Sequence, residues 1–319
     1  MTDGGETLPL FSQPAHDSTP SADPSHALRA DSSLNAAITT WGEHLEKTGR
    51  SINTVKAFSS DLRLLAKYIS AGKEIGTIGA HDLKNFLEWM QTQRNAPCSP
   101  KTYSRRVTSL KSFFRWLKET GVLCKDPAIE VPQESVLSPL PEVLTPNEMQ
   151  IILELADSKR RDFDPDARPY TLVALLLESG IKKSECLNIH LNHIDLYAPQ
   201  GPTLFVRYAN VQKRYRERKI IVSESWVASY EEYLAQYKPV ETLFPYSPRR
   251  LEYLLEDLSA ESGLEKHLSF NMCRWSCALN DYRNGLDANK IRQKLGISKI
   301  QWREVGNKLH RLAAQYEAD

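Results

Sequence analysis

The stretch LSFNMCRWSCALNDYRNGLDANKIRQKLGISKIQWREVG, residues 268–306, predicts the architecture of the C-terminal half of the chain. Ser269 has the short hydroxyl side chain that favours the N-cap of a helix, and the Asn284-Gly285 pair favours its end. Apolar residues recur at helical spacing between these signals, namely Met272, Trp275, Ala278 and Leu279. A second, short helix is predicted from Ala288 to Leu295, ending at Gly296. The stretch therefore indicates two consecutive helices.

Upstream of this stretch, the sequence predicts a buried helix and a basic β-hairpin. Residues 170–177 are nearly all apolar and favour a central helix, and the turn at residues 178–186 follows it. Short strands are expected at residues 204–206 and 219–222, with residues 207–218 as the turn between them. Glu217 is the acidic residue of this segment, which contains six basic residues, namely Arg207, Lys213, Arg214, Arg216, Arg218 and Lys219. This excess predicts a cationic surface on the hairpin.

The N-terminal half, from Leu34 to about Lys125, has the pattern of four or five amphipathic helices. Ser51 favours the start of the second helix, and the fourth spans Ser99 to Leu117. The fourth helix carries basic residues and no acid, namely Lys101, Arg105, Arg106, Lys111, Arg115 and Lys118. Basic side chains interspersed with hydroxyl residues suit contacts to phosphate groups. A solvated helix face is the alternative interpretation of the same charges.

Two segments interrupt the helical pattern. Residues 1–33 contain five acidic residues against Arg29 alone, with four prolines, and we expect them to form a disordered acidic tail. Residues 131–142 include three prolines and no helical or strand period, which is typical of a linker. The chain is therefore expected to form a helical domain at residues 34–130 and a second domain at residues 143–319. Thr145 and Pro146 open the first helix of that second domain.

The composition limits the class of protein. The chain has 319 residues, 41% hydrophobic and 25% charged, with a net charge of +1, which fits two globular domains. It contains neither an apolar run of about 18 residues nor a signal-peptide pattern, so we expect a cytoplasmic protein without a membrane partner. The five cysteines lack zinc-ligand spacing, and no glycine-rich phosphate loop, acidic metal cluster or Ser-His-Asp arrangement occurs. We therefore expect no cofactor and no metal ion.

The order of these motifs resembles the tyrosine recombinase, or phage integrase, family, with its Xer-like and Cre-like members. The segments Ser51-Ile52-Asn53-Thr54, Ser99-Pro100-Lys101-Thr102 and Leu140-Pro141 follow the order of the family's core-binding domain. Residues 178–186 are similar to its T-G-L-R-x-S-E-L turn, and residues 213–222 to its K-x-x-x-x-R-x-V-P-L hairpin. The resemblance implies a mainly α fold with two domains. The first would be a helical SAM-like core-binding domain, and the second a mostly helical catalytic domain with a small antiparallel β-sheet.

The resemblance also implies where the family's catalytic residues would lie. The corresponding positions form a degenerate set, namely Lys182, Lys213, Asn271, Arg274, Ile297 and Gly306. Arg274 and Lys213 keep the family's residue type. Lys182 stands for the first phosphate-binding arginine, and Asn271 for a histidine that accepts a proton. Ile297 replaces a hydrogen-bond donor, and Gly306 falls where the family has its nucleophilic tyrosine.

We therefore interpret the chain as a DNA-binding protein of this family that cannot cut DNA itself. It would bind duplex DNA as an accessory or regulatory factor in site-specific recombination or integration. It would pair with an active tyrosine recombinase, or associate with itself through the C-terminal helix. The residues expected to contact DNA are Ser51, Thr54, Lys101, Thr102, Arg105, Arg106, Lys111, Arg115, Lys213, Arg214, Arg216, Arg218 and Arg274.

Two alternatives remain open at the level of sequence. One is an active recombinase with an unconventional nucleophile, for which Tyr316 is the candidate because residues 283–315 contain no tyrosine. The other is a protein-interaction module whose basic faces bind an acidic partner. Loss of a nucleophile reduces a reaction rate far more than loss of a general base, so Gly306 favours a protein that binds without cutting.

Overall fold

The computed structural model of the protein describes residues 28–93, 98–133 and 139–316. The chain divides into two compact units between residues 138 and 139, inside the segment predicted as a linker. Most of the predicted acidic tail, residues 1–27, lies outside the described residues. No helix in the described ranges combines the length and the apolar character that a membrane span needs.

The described part of the first unit contains the helices α1 (Leu34–Lys47), α2 (Ile52–Ile69), α3 (Ala80–Thr92) and α4 (Pro100–Glu119). Three of them start at a serine N-cap, whose hydroxyl accepts a backbone N–H of the first helical turn, namely Ser33, Ser51 and Ser99. Apolar side chains of all four helices form one core, and Trp41, Phe86 and Phe113 are among its fully buried members.

A buried carboxylate joins α2 to α4. The side chain of Asp61 is only 3% exposed, and it accepts a hydrogen bond of 2.8 Å from the Ser109 hydroxyl. The Arg105 guanidinium lies 2.9 Å from the same carboxylate, and that of Arg106 lies 3.5 Å away. Burial raises the pKa of Asp61, while the Ser109 hydrogen bond and the two arginines oppose that effect. Two of the cations predicted on the α4 surface are therefore used inside the unit.

The second unit is larger and mostly helical. Its helices are α5 (Pro146–Arg160), α6 (Arg168–Ser179), α7 (Lys183–Cys186), α8 (Glu224–Tyr237), α9 (Pro248–Glu261), α10 (Phe270–Arg283), α11 (Ala288–Lys294) and α12 (Lys299–Tyr316). A capping box starts α5, because the Thr145 hydroxyl accepts the Glu148 N–H and the Glu148 carboxylate accepts the Thr145 N–H. Helix α6 is apolar on nearly all sides and packs against α5, α8, α9 and α10. It is the centre of the core, as predicted.

A small antiparallel sheet lies in the second unit. Its strands are β1 (Ile194–Asp195), β2 (Thr203–Val206) and β3 (Arg218–Ile221), in the order β1-β2-β3. Leu204 pairs with Ile220 in the register, and both side chains are buried in the core. The β2–β3 connection contains a 3-10 helix at Val211–Arg216, which places the basic residues of the predicted turn.

The predicted fold class is confirmed: two mainly helical units, with a small antiparallel sheet in the second. Ser269 caps α10, and Gly285 and Gly296 end α10 and α11 with positive φ angles, also as predicted. Strand β1 was not predicted. Residues 28–33 do not belong to a disordered tail, because Leu28 is buried and the Ala30 carbonyl accepts the Gly76 N–H at 2.8 Å. The predicted linker begins too early, since Val131 is in the core of the first unit.

The buried Asp61 provides a test of the first unit. Replacing it with alanine leaves two arginines without their carboxylate and Ser109 without an acceptor, so we expect Asp61→Ala to lower the free energy of unfolding by about 2–4 kcal/mol. Urea unfolding followed by circular dichroism measures the change. The exposed Glu88 on α3 provides the control, and Glu88→Ala should change stability by less than about 0.5 kcal/mol. Equal midpoints for the two variants would contradict a structural role for Asp61.

Candidate functional site

The second unit has a cleft of about 410 Å³ that brings together three of the predicted catalytic positions, Lys182, Asn271 and Arg274. The end of α6 and the start of α10 supply them. Lys182 is the N-cap residue of α7, just after the left-handed Gly180. Asn271 and Arg274 lie in the first turns of α10. The predicted positions therefore contribute two cations and an amide, and Lys183, Arg249, Glu252 and Glu256 also line the cleft.

Arg274 links two segments of backbone. Its Nη1 donates to the Gly180 carbonyl and its Nη2 donates to the Leu295 carbonyl at 2.6 Å. Burial lowers the pKa of this guanidinium to about 10, although Glu185 opposes the shift, so the group stays charged at neutral pH. A guanidinium has five N–H donors, and two of them are used here. The other three are the donors that this residue can offer to a phosphate oxygen.

Lys182 is the second cation of the cleft. Its Nζ lies 3.8 Å from Glu185 Oε1, and its backbone N–H donates to the Glu185 carboxylate at 2.8 Å. Burial lowers the pKa of the amine to about 8, with the positive charge of Arg274 acting in the same direction and Glu185 against it. Lys182 therefore loses its charge at a much lower pH than an ordinary lysine does. It also lacks the two-pronged donor geometry of arginine.

A buried ion pair lies behind these cations. The side chains of Glu185 and Arg218 are 1% and 7% exposed, and Arg218 Nη2 lies 2.8 Å from Glu185 Oε2. The Tyr208 hydroxyl donates to Glu185, and Arg218 Nε donates to the Lys294 carbonyl at 2.5 Å. Burial alone would raise the pKa of Glu185, but the bonds from Arg218 and Tyr208 lower it to about 2. The prediction that Arg218 contacts DNA is wrong, because this pair occupies its guanidinium.

Two other predicted catalytic positions lie elsewhere. Lys213 lies on a separate cavity of about 650 Å³ beside Arg207 and Arg214, and it does not line the cleft. Ile297 lines a third cavity, of about 910 Å³, between β3 and α11. The structure thus groups Lys182, Asn271 and Arg274 and leaves Lys213 and Ile297 outside that group.

Position 306 has no side chain to attack a phosphate. Gly306 lies inside α12, and a Cβ built on it would lie 3.4 Å from the indole of Trp302. Trp302 and Trp275 pack against the small core that α10, α11 and α12 share. Tyr316 is the last residue of α12, ten positions further on. At 1.5 Å per residue, its backbone is roughly 15 Å along the helix axis from Gly306.

The cationic face of α4 is smaller than predicted. Arg105 and Arg106 lie against the buried Asp61, so their charges are compensated within the unit. Among the residues that the structure describes, no carboxylate lies within salt-bridge distance of Lys101, Lys111 or Arg115. These three keep an uncompensated charge. Three further predicted contacts, Ser51, Thr54 and Thr102, lie at helix starts and pair with a nearby hydroxyl. The Ser51 and Thr54 hydroxyls form one pair, and the Ser99 hydroxyl donates to that of Thr102.

Sequence analysis missed one tyrosine near the cleft. The Tyr208 hydroxyl donates a hydrogen bond to Glu185, the residue that also lies near the Lys182 amine. Burial raises the pKa of this phenol to about 12, and the Glu185 carboxylate acts in the same direction. A phenol with a raised pKa stays protonated at neutral pH and is a poor nucleophile. No local signal marks Tyr208, because its partner is 23 residues away in the chain.

Comparisons with protein families give matches on both units. The model of the phage integrase family matches residues 142–303, and that of the phage integrase N-terminal SAM-like domain matches residues 38–121. Tyrosine recombinase XerD of Listeria monocytogenes is 24% identical over 278 residues, which cover 81% of this chain and 88% of that protein. Tyrosine recombinase XerC of Roseiflexus sp. is 26% identical over 290 residues, which cover 85% and 88%.

Solved structures share the fold. A lambda integrase tetramer bound to a Holliday junction superposes with a TM-score of 0.68 at 13% identity, covering 86% of this chain and 77% of that one. The XerH site-specific recombinase bound to its difH substrate gives a TM-score of 0.62 at 17% identity, covering 86% and 82%. The likeness at these identities concerns the fold alone.

Gly296 provides a test of the buried ion pair. Its φ is +58°, and an added Cβ would lie 2.6 Å from Arg218 Nη1, which Glu185 and the Lys294 carbonyl hold in place. Gly285 has a similar φ of +75° but open space around it. Both Gly→Ala changes should cost about 1–2 kcal/mol of backbone strain.

We expect Gly296→Ala to cost about 1–3 kcal/mol more than Gly285→Ala, because it also displaces Arg218. Urea unfolding of the two variants measures the difference. Equal destabilisation would mean that Arg218 moves freely, and the proposed rigidity of the pair would then be rejected.

Proposed function

The chain belongs to the phage integrase family of tyrosine recombinases, and we propose that it binds duplex DNA without cutting it. The observation that carries the proposal is the glycine at position 306, where the family has its nucleophile, in a chain whose cleft keeps cationic side chains. A site of this kind can hold a phosphodiester but has no group to form the covalent bond to it.

The chemistry of strand cleavage lacks further parts here. Transfer of a phosphodiester to a side chain needs a base for the nucleophile and an acid for the leaving oxygen. Asn271 can donate a hydrogen bond but cannot accept a proton near neutral pH. Lys213, the family's candidate acid, keeps its residue type. The loss of the base adds to that of the nucleophile and favours a pseudoenzyme over a slow enzyme.

Duplex binding is supported by cations that, among the residues that the structure describes, have no carboxylate within salt-bridge distance. In the first unit these are Lys101, Lys111 and Arg115, and in the second they are Lys213, Arg214 and Arg216. Neutralising backbone phosphates releases counterions, which makes such binding favourable and strongly dependent on salt. Lambda integrase and XerH have been solved on DNA, and the family relation extends that expectation to this chain.

We further infer an accessory role in site-specific recombination or integration. A chain that holds a duplex without cleaving it can occupy a recombination site, bend it, or pair with an active relative and shape their complex. Helix α12 is the candidate for that pairing, because the family resemblance implies it for the C-terminal helix.

The alternative of an active recombinase rests on Tyr316 or Tyr208. The backbone of the first lies roughly 15 Å along α12 from the family's position, and the hydroxyl of the second donates a hydrogen bond to Glu185. Neither arrangement favours attack on a phosphate in the cleft. A protein-interaction module with basic faces would bind an acidic protein in preference to DNA, so a measurement of duplex binding distinguishes it from the proposed function.

The full chain is tested on a fluorescent pool of nicked duplexes of randomised sequence. We expect binding by anisotropy, with an affinity whose logarithm falls linearly with the logarithm of salt concentration. On denaturing gels, no covalent adduct should appear, because position 306 has no hydroxyl. An active relative on its own site serves as the positive control for trapping. An adduct would refute the loss of cleavage, and the absence of any salt-dependent binding would refute DNA binding.

Lys182 provides a pH-dependent test. Its pKa of about 8 lies below that of an ordinary lysine, so the amine is charged below pH 8 and neutral above it. Duplex affinity should therefore fall as pH rises from about 7 to 9, by roughly three- to tenfold for one phosphate contact. The measurement is anisotropy at constant ionic strength.

Two variants at the same position control this prediction. Lys182→Arg keeps its charge throughout the range, so its affinity should not follow the decline of the wild type. Lys182→Gln should bind weakly at every pH. If the duplex affinity of Lys182→Arg falls with rising pH as that of the wild type does, Lys182 does not contact the duplex.

A further inference from the structure

A cavity of about 650 Å³ beside the β2–β3 connection combines two histidines with three basic side chains. We call it the histidine pocket, and it is lined by His190, His193, Arg207, Lys213 and Arg214. We propose that the histidine pocket is a second phosphate-binding site, separate from the cleft of Arg274, and that it holds a backbone phosphate of the bound duplex. The assignment of the phosphate to DNA rests on the proposed function, whereas the site itself would also accept free inorganic phosphate.

The backbone fixes the proton of His193. The two histidines flank a 3-10 turn at Leu191–His193, and the His190 N–H donates to His193 Nδ1 at 3.2 Å. In a neutral ring, the nitrogen that accepts cannot carry the proton, so the proton is on Nε2. His193 therefore presents an N–H donor even without a positive charge. Its ring centroid is 5.0 Å from that of His190, in an edge-to-face arrangement.

The basic residues of the pocket are not compensated inside the fold. In the part of the chain that the structure describes, neither Lys213 nor Arg214 has a carboxylate within salt-bridge distance, and both are exposed. Arg207 lies over the Phe205 ring at 5.5 Å, which leaves its donors free. A cavity with several convergent cationic donors is the usual environment of a bound phosphate.

Three carboxylates face the pocket or its histidines, and the two that line the pocket, Glu185 and Glu217, have partners elsewhere. Glu185 is held by Arg218 and Tyr208. Glu217 accepts the Tyr208 backbone N–H at 2.9 Å. Glu241 lies 3.6 Å from His190 Nδ1, outside the residues that line the pocket. The carboxylates therefore reduce the positive charge of the site but do not occupy the place of a bound phosphate.

His193 makes this site sensitive to pH. Burial lowers its pKa from the ordinary value of 6.5, and the nearby His190 and Arg207 act in the same direction, against Glu217. His193 is thus a neutral donor at neutral pH and gains a charge only below that value, by protonation of Nδ1, which then no longer accepts the His190 N–H. A protonated ring binds a phosphate more strongly, so affinity for the duplex should rise on acidification. This change lies well below the pH at which Lys182 titrates.

The first arm of the test uses the fluorescent duplex pool and the full chain. His193→Gln keeps an amide donor and an acceptor for the His190 N–H, but it cannot gain a charge. We expect the wild type to bind roughly three- to tenfold more tightly at about pH 5 than near pH 7.5, and His193→Gln to lose most of that increase. The control is the change His81→Gln at an exposed histidine of the first unit, and this variant should keep the increase in affinity at low pH.

The second arm uses inorganic phosphate alone, followed through the imidazole nitrogens by NMR. Phosphate should shift the His190 and His193 signals and leave that of His81 unchanged. If the wild type binds duplex while His193→Gln keeps the full pH response, the histidine pocket does not hold a DNA phosphate. If phosphate also leaves both histidine signals unchanged, the site itself is refuted. A wild type that binds phosphate but no duplex would instead overturn the proposed function.

Discussion

The buried ion pair between Glu185 and Arg218 is the interaction on which the second unit depends. Removing two charges from water costs several kcal/mol per ion unless their hydrogen bonds are replaced. Here the replacement is extensive, because Glu185 accepts from Arg218, from the Tyr208 hydroxyl and from the Lys182 backbone, while Arg218 also donates to the Lys294 carbonyl. The pair thereby connects α7, β3 and α11. Gly296 is required beside it, since a Cβ there would meet Arg218.

This architecture explains how the cleft keeps its arginine without its nucleophile. Arg274 donates to the carbonyls of Gly180 and Leu295, which end α6 and α11. Those bonds satisfy carbonyl groups that a helix end leaves without a partner. Arg274 therefore has a structural role that does not depend on cleavage, whereas a tyrosine at position 306 would have served the chemistry. If the chain does not cleave DNA, as we propose, it needs the first residue and not the second.

The sequence predicted the elements whose signals are local. Ser269, Gly285 and Gly296 define α10 and α11 because a capping hydroxyl and a left-handed glycine act within one helical turn. The grouping of Lys182, Asn271 and Arg274 followed from family resemblance and not from any local signal. Contacts between distant segments were not predictable in this way, and the pairing of Asp61 with Arg105 across 44 positions was missed. Strand β1 was missed because two residues carry too little pattern to mark a strand.

Counting charges along a helix or a hairpin overestimates the surface available to DNA. Arg105, Arg106 and Arg218 contribute to the count, yet each lies against a buried carboxylate from another element. A cation that is compensated inside the fold releases no counterion from a phosphate, so it adds nothing to the salt dependence of binding. The charges that remain free are concentrated at Lys101, Lys111 and Arg115 in one unit and around the histidine pocket in the other. Duplex binding by this chain therefore depends on fewer side chains than its basic stretches suggest, and each of them has a larger share in it.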